Sequence, residues 1–107
     1  MTQPNQNFSM FSGETKYISV PNTKDDGTNL DLTGSTITWT VKKREYSPDS
    51  VLSKATPEIT VDGNILTIPL KPPDTETLLG SYYHKCEIVD QFGNDSVLFT
   101  GFMEIKL

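Results

Sequence analysis

Residues 31–43 read DLTGSTITWTVKK, and the alternation within this stretch indicates the fold. Ile37, Trp39 and Val41 fall on every second position and are separated by threonines. Successive side chains of an extended strand point to opposite faces, so the pattern predicts a strand with one apolar and one polar face. A helix would scatter the three apolar side chains around its circumference. Trp39 is the only tryptophan, and its position predicts that it fills the centre of a sandwich core.

The same alternation recurs along the chain and predicts about seven short strands. The other strand candidates are the stretches at 15–21, 51–55, 58–63, 65–70, 81–90 and 96–107. Short strands with turn signals at intervals of roughly 8–12 residues are typical of an antiparallel β-sandwich, and a small barrel is the alternative. Asp74 is predicted to cap a single helical turn that ends at Gly80.

Length and charge limit the classes of protein to which the chain can belong. It has 107 residues and a net charge of −5, and this length predicts one domain. A nucleic-acid-binding protein needs a basic stripe. The short run Lys42-Lys43-Arg44 is interpreted as a solvated strand end, so no nucleic-acid partner is expected. The single cysteine, Cys86, excludes an intrachain disulfide and agrees with folding in a reducing cytoplasm.

The start of the chain has a different composition from the remainder. Residues 1–11 are predicted to form a flexible N-terminal arm, and residues 12–107 the sandwich domain. Phe8, Met10 and Phe11 are expected either to anchor a first edge segment or to dock on another subunit. The polar leader lacks the charged and apolar regions of a signal peptide. No apolar stretch approaches the ~20 residues of a membrane span, so no membrane partner is expected.

His84 is the only histidine. A catalytic role would pair it with Cys86 as a nucleophile or with Asp90 as an orienting acid. His84 and Cys86 lie two apart on one predicted strand, so they share the face that carries Tyr82 and Ile88. That face is interpreted as core or subunit interface, where a thiol is inert. We therefore expect packing roles for both residues, and we do not expect an enzyme.

The loop DDGTNLD offers Asp25, Asp26, Asn29 and Asp31 as oxygen ligands. Calcium takes six to eight oxygens, and this spacing does not match the helix–loop–helix calcium pattern. A polar turn is the preferred interpretation, and calcium binding is the alternative. One histidine and one cysteine do not supply the four ligands of a zinc site. No metal and no other cofactor is expected.

Four aromatic side chains are candidates for an outward-facing position: Tyr46, Tyr83, Phe92 and Phe102. Aromatic residues are enriched at binding surfaces. Phe92 lies in the turn QFGN and is therefore predicted to contact a partner. Tyr82 follows LLGS near a strand start, where a tyrosine hydroxyl can bond back to the preceding loop, as in the tyrosine corner of sandwiches.

Taken in order, several of these stretches resemble one family. They are DLTGSTITWTVKK, ILTIPLKPPDTETLLGSYYHKCEIVD and QFGNDSVLFTGFMEI. Over about residues 14–107, their order and spacing resemble the immunoglobulin-like domains of tailed-phage virion proteins. The closest resemblance is to the N-terminal domain of phage baseplate upper proteins and to related tail and head accessory proteins. The resemblance implies an all-β, immunoglobulin-like antiparallel β-sandwich that folds in the host cytoplasm and joins a virion as a repeated unit.

Baseplate proteins of this family continue into a long helical or receptor-binding region, whereas this sequence stops after the sandwich. That departure favours a small accessory or decoration protein of the head or tail, or else a cloned domain. The expected function is therefore that of a non-enzymatic phage virion structural protein, a baseplate, tail or capsid-decoration module.

The expected mode of action is protein–protein contact within an assembly. Partners are expected to be other phage structural proteins, with the chain present as a homo-oligomer or a repeated copy in the virion. The predicted contact residues are Phe8, Met10 and Phe11 in the arm, and Phe92 in the turn. The alternative function is a module that binds host-surface or cell-wall carbohydrate through exposed aromatic residues such as Tyr83.

Overall fold

The structure is a computed structural model that describes residues 6–24, 26–28 and 30–107. Within these residues the chain forms eight strands and one short helix. The elements in chain order are β1 (Phe8–Phe11), β2 (Lys16–Pro21), β3 (Thr36–Lys42), β4 (Ser50–Ala55), β5 (Thr60–Asp62), β6 (Ile65–Leu70), α1 (Pro72–Thr75), β7 (Gly80–Val89) and β8 (Asp95–Lys106). In this part of the chain, no helix is long and apolar enough to cross a bilayer.

The strands form two sheets with one apolar core between them. One sheet has the order β1-β8-β7-β3-β4 and the other the order β2-β6-β5. The pairings β2-β6-β5 and β8-β7-β3 reproduce the B-E-D and G-F-C orders of immunoglobulin-type sandwiches, with β4 as an additional strand beside β3. The predicted all-β sandwich is therefore confirmed, with eight strands in place of about seven.

The five-stranded sheet is not purely antiparallel. β1 runs parallel to β8, with Phe8 opposite Met103 and Phe11 opposite Lys106. The remaining pairs in the two sheets are antiparallel. β1 therefore reaches its place without a hairpin, and it extends the sheet by one edge strand beyond the predicted antiparallel set.

The interior is built from the alternating positions that the sequence marks. Ile37, Trp39 and Val41 are fully buried, and the threonines between them face outward. The core residues come from both sheets and from the loops between them: Met10, Val20, Leu32, Ile37, Trp39, Val41, Ile59, Leu66, Ile68, Leu70, Tyr82, Cys86, Ile88, Leu98, Phe99, Met103 and Ile105. Truncating a large buried aromatic side chain to alanine costs about 3–5 kcal/mol, so Trp39 is a major contributor to stability.

The boundary predicted at residue 12 does not match the structure. Residues 8–11 form β1 and belong to the sheet, so the domain begins before residue 12. Met10 is 2% exposed within the core of its own chain, and Phe8 packs against that core. The alternative expectation for this segment, a first edge strand, is confirmed. Residues 1–5 lie outside the described residues.

Two local predictions near the chain's second half are wrong. Asp74 does not cap the helix from outside; it is the third residue of α1, and the backbone N–H of Lys71 donates to its carboxylate at 2.7 Å. α1 ends at Thr75, well before Gly80. β8 ends at Lys106, so Leu107 lies just outside the strand predicted at 96–107, and its side chain is exposed.

Gly101 lies at a position where the packing leaves no room for a side chain. It lies opposite His84 in the β7–β8 ladder, and a Cβ placed on it would overlap the backbone carbonyl of Gln6. The chain just before β1 therefore crosses β8 at a position where only glycine leaves room.

We predict that Gly101→Ala displaces residues 6–11 from the sheet edge, because the added methyl group occupies the position of the Gln6 backbone. Overpacking of this kind costs about 1–3 kcal/mol of unfolding free energy. Amide hydrogen exchange measured by NMR should become faster at residues 6–11 and stay slow in β3 and β7. Unchanged exchange at residues 6–11 would show that this crossing does not constrain the segment. Ser81→Ala, on the exposed face of the same sheet, serves as the control.

Candidate functional site

His84 lies inside the sandwich, where it bonds to two other parts of the chain. The indole Nε1–H of Trp39 donates to His84 Nδ1 at 3.1 Å, and His84 Nε2 lies 2.7 Å from the backbone carbonyl oxygen of Gln6. The ring is 1% exposed and is surrounded by the rings of Phe8, Trp39 and Phe99, with centroids at 5.4, 5.8 and 5.9 Å.

These two hydrogen bonds fix the tautomer of His84. The Trp39 indole nitrogen is a donor only, so His84 Nδ1 must accept. The proton of the neutral ring is therefore on Nε2, which donates to the Gln6 carbonyl. Burial disfavours the charged imidazolium and lowers the pKa of His84, although the bond to Gln6 acts in the opposite direction.

The three residues considered for catalysis are not brought together as a working set. His84 uses both ring nitrogens within the fold. The Cys86 thiol is fully buried beside the β3 position of Trp39, and burial raises its pKa to about 12, so it carries no thiolate at neutral pH. Asp90 follows the end of β7, six residues beyond His84, which is about 20 Å along an extended strand. The packing interpretation of His84 and Cys86 agrees with this geometry.

A buried ion pair that the sequence pattern does not reveal closes the side of the sandwich at β4. Lys54 points inward, and its Nζ lies 3.0 Å from Asp74 Oδ2 in α1 and 3.5 Å from Glu58 Oε2. Burial acts to lower the pKa of Lys54, but the hydrogen bond and charge of Asp74, with the charge of Glu58, outweigh it and raise that pKa. These residues link β4 to α1, so Asp74 has a tertiary role in addition to its bond within the helix.

One end of the sandwich, here called the loop end, carries the β2–β3 connection and the turn between β7 and β8. In that turn the Asp90 carboxylate accepts from the backbone N–H groups of Phe92 and Asn94, both at 2.9 Å. The bonds from Asn94 and Phe92 lower the pKa of Asp90. The turn holds Phe92 at its tip with the ring 80% exposed.

The acidic β2–β3 connection uses its described carboxylates in turns. Asp26 accepts from the hydroxyl and the backbone N–H of Thr28, and Asp31 does the same with Thr33, at 2.6–3.0 Å. Those hydroxyl bonds lower the pKa of each aspartate. Asp25 and Asn29, the other proposed ligands, lie outside the described residues. Across the positions that are described, no three metal-ligating side chains come together.

The predicted contact residues do not form one surface. Met10 is buried in the core, and Phe8 is partly buried against it, so neither is a fully exposed contact residue. Phe11 is exposed beside Lys106 at the end of β8. Phe92 precedes the start of β8 and is therefore at the opposite end of the sandwich. Of the four residues, Phe11 and Phe92 are accessible to a partner.

The end of the sandwich opposite the loop end carries a cleft that was not predicted. It is lined by Lys43, Arg44, Glu45, Tyr46, Ser81 and Phe102 and has a volume of about 440 Å³. We call this set the basic–aromatic cleft. The cleft lies where the β3–β4 loop passes the outer face of β7 and β8. Its one signal in the sequence is the run Lys42-Lys43-Arg44, which by itself indicates only a solvated strand end.

The four aromatic residues proposed to face outward separate into two groups. Tyr46, Phe92 and Phe102 are exposed, whereas Tyr83 is only 9% exposed although it faces outward from the sheet. Tyr83 packs edge-on against Phe102, with the ring centroids 5.7 Å apart. Tyr83 is on the outer face of its strand, and packing against its neighbours on that face covers it.

The tyrosine-corner expectation is confirmed at Tyr82. Its hydroxyl donates to the carbonyl oxygen of Leu79 and accepts from the Leu79 N–H, both at 3.1 Å. This pair of bonds ties the start of β7 to the connection that follows α1, as in other Greek-key sandwiches.

No protein-family model matches the chain, and no curated protein matches it.

We predict that the unfolding free energy falls as the pH is lowered below about 6.5, the ordinary pKa of histidine. The folded-state pKa of His84 is depressed, so the unfolded chain binds the extra proton first. The full contribution is present above pH 6.5 and is lost as the pH falls through the folded-state pKa. For a single proton the slope is at most about 1.4 kcal/mol per pH unit. Urea unfolding between pH 4.5 and 8, with His84 followed by NMR, measures both quantities.

The aspartates of the loop end titrate below the pH range of that experiment, because their pKa values lie below 3.8 in the folded chain. The change in stability between pH 7 and pH 4.5 is therefore not due to them. Their contribution is lost only in more acidic solution. A flat profile from pH 7 to pH 4.5 would contradict the depressed pKa of His84.

We also predict that Cys86 does not react with a thiol reagent in the native protein at pH 8, because its pKa is about 12 and the side chain is fully buried. After unfolding in urea, one thiol per chain should react with Ellman's reagent. Labelling of the native chain at the rate of the unfolded chain would mean that this part of the core opens readily.

Proposed function

We propose that the protein is a non-enzymatic structural component of a phage virion that acts by binding neighbouring proteins. The observation that carries the proposal is the presentation of Phe92. A large apolar side chain is held in water at the tip of a turn that Asp90 fixes through three hydrogen bonds from Phe92 and Asn94. Because the backbone of the turn is already ordered, less conformational entropy is lost on binding, which suits a contact residue.

The positions of the exposed side chains support repeated contacts. Phe92 and Phe11 lie at opposite ends of the sandwich, so each is available to a different neighbour. If one end of a subunit meets the other end of the next copy, the contact is heterologous, and such contacts build rings or open arrays. Together with the resemblance of residues 14–107 to virion domains, this arrangement favours a repeated unit of a baseplate, tail or capsid surface.

The proposal is tested by quantitative mass spectrometry of phage particles purified from cells that express the gene. The protein is expected in the particles at a fixed ratio to the major capsid protein. Its absence from purified particles would refute the virion role.

We predict that Phe92→Ser lowers incorporation into particles at least fivefold, because the buried area at the contact is lost. The unfolding free energy should change by no more than about 0.5 kcal/mol, because the side chain is in water in the free protein. Tyr17→Ser is the matched control, since Tyr17 is an exposed ring on the other sheet. Equal incorporation of both variants would show that Phe92 is not a contact residue.

A second candidate function, binding of a host-surface or cell-wall carbohydrate, is favoured by the basic–aromatic cleft. Exposed rings beside charged and hydroxyl-bearing side chains are the usual components of a small-ligand site. In this role Tyr46 and Phe102, rather than Tyr83, are the aromatic residues that contact the carbohydrate.

A further inference from the structure

We infer that the basic–aromatic cleft binds an anionic saccharide, an oligosaccharide that carries carboxylate or phosphate groups. The inference rests on the second of the two proposed functions and does not depend on incorporation into virions. The cleft volume of about 440 Å³ is within the range of ligand pockets. Its lining combines two cations, one carboxylate, one hydroxyl and two aromatic rings.

The charge of the ligand follows from the two cations. Lys43 and Arg44 are exposed, and neither forms a salt bridge with any residue that the structure describes. Lys54, Lys85 and Lys106 each have an acidic partner within 4 Å, whereas the other described lysines, like Lys43, form no salt bridge with a described residue. Lys43 and Arg44 differ from those lysines because they are adjacent and line one cleft. In a chain with a net charge of −5, two adjacent unpaired cations form a local site for an anion. Arginine is suited to a carboxylate or phosphate because it can donate two parallel hydrogen bonds.

The two aromatic rings of the cleft favour a sugar as the ligand. Tyr46 is 81% exposed and Phe102 is 57% exposed, and both line the cleft. Phe102 packs at 66° to the Tyr83 ring, with the centroids 5.7 Å apart, and the remainder of its surface is exposed. The negative face of an aromatic ring attracts the weakly positive C–H hydrogens of a pyranose ring. Ser81 and Glu45 add a hydroxyl and a carboxylate, which can bond to sugar hydroxyl groups.

The same geometry is less suited to a nucleic acid. A nucleic-acid strand carries one charge per nucleotide and needs a longer basic groove than two cations supply, on a chain that is acidic overall.

The test uses the full chain, isothermal titration calorimetry and ¹H–¹⁵N NMR. The anionic probes are galacturonic acid hexamer, hyaluronan hexasaccharide and a short glycerol phosphate polymer substituted with sugar. The neutral probe is chitohexaose. At least one anionic probe should bind at least tenfold more tightly than the neutral probe, with shifts concentrated at residues 43–46, 81 and 102. The three anionic probes separate carboxylate from phosphate recognition.

Variants locate the binding site. We predict that Arg44→Gln and Phe102→Ala each weaken binding of the anionic probe at least fivefold, the first through charge and the second through stacking. Lys24→Gln, a lysine of the β2–β3 connection at the loop end, should stay within twofold of the unchanged protein. Binding through Arg44 should also weaken when NaCl is raised from 50 to 500 mM.

Three results would overturn the inference. No anionic probe causes shifts at residues 43–46; or chitohexaose binds equally well; or hexaglutamate or a ten-residue oligothymidine binds as tightly as the saccharides. The last result would mean that the cleft recognises charge in a peptide or nucleic acid rather than a sugar. Normal incorporation into virions leaves this inference intact, and failure of saccharide binding leaves the virion proposal intact.

Discussion

The hydrogen bonds of the buried His84 connect parts of the chain that are far apart in sequence. Through its two ring nitrogens, His84 on β7 links the Trp39 indole on β3 to the Gln6 backbone at the start of β1. The His84 ring and the Trp39 indole lie inside the apolar core, where leaving a polar group unpaired costs about 1–3 kcal/mol. The neutral imidazole accepts on one side and donates on the other, so it satisfies both neighbours at once. The large aromatic side chain at the centre of the sandwich and the edge strand are therefore energetically linked.

Contacts between distant segments also account for two other features of the fold, the glycine at position 101 and the inward-pointing Lys54. Gly101 has to be a glycine because the Gln6 backbone approaches β8 on its way to the His84 ring. Lys54 points inward at the edge strand β4, where its charge is stabilised by Asp74 and Glu58. A lysine that points inward also discourages an edge strand from pairing with another chain. Polar groups inside the sandwich thus fix which segments lie beside which, while the apolar residues supply most of the burial.

The sequence predicted those parts of the fold that depend on local alternation. The buried faces of β3, β6 and β7 were found because side chains alternate with period two in any strand. The sequence predicts an edge segment at β1 only as one of two alternatives and does not predict its parallel pairing with β8, because four residues in a parallel edge strand have no hairpin and no long alternating pattern. The burial of Tyr83 was missed for a related reason: it sits on the outer face, and only the fold shows that neighbours such as Phe102 cover it.

The basic–aromatic cleft was missed because its residues come from three separate stretches, and no spacing rule joins the β3–β4 loop to Ser81 and Phe102. The cleft and Phe92 are nevertheless parts of one rigid unit. β7 and β8 run from Ser81 and Phe102 at one end to the Phe92 turn at the other, a span of roughly 26 Å for eight residues of strand. Both strands are paired along this length. A ligand in the cleft therefore leaves the loop end uncovered, and the two surfaces can be occupied at the same time.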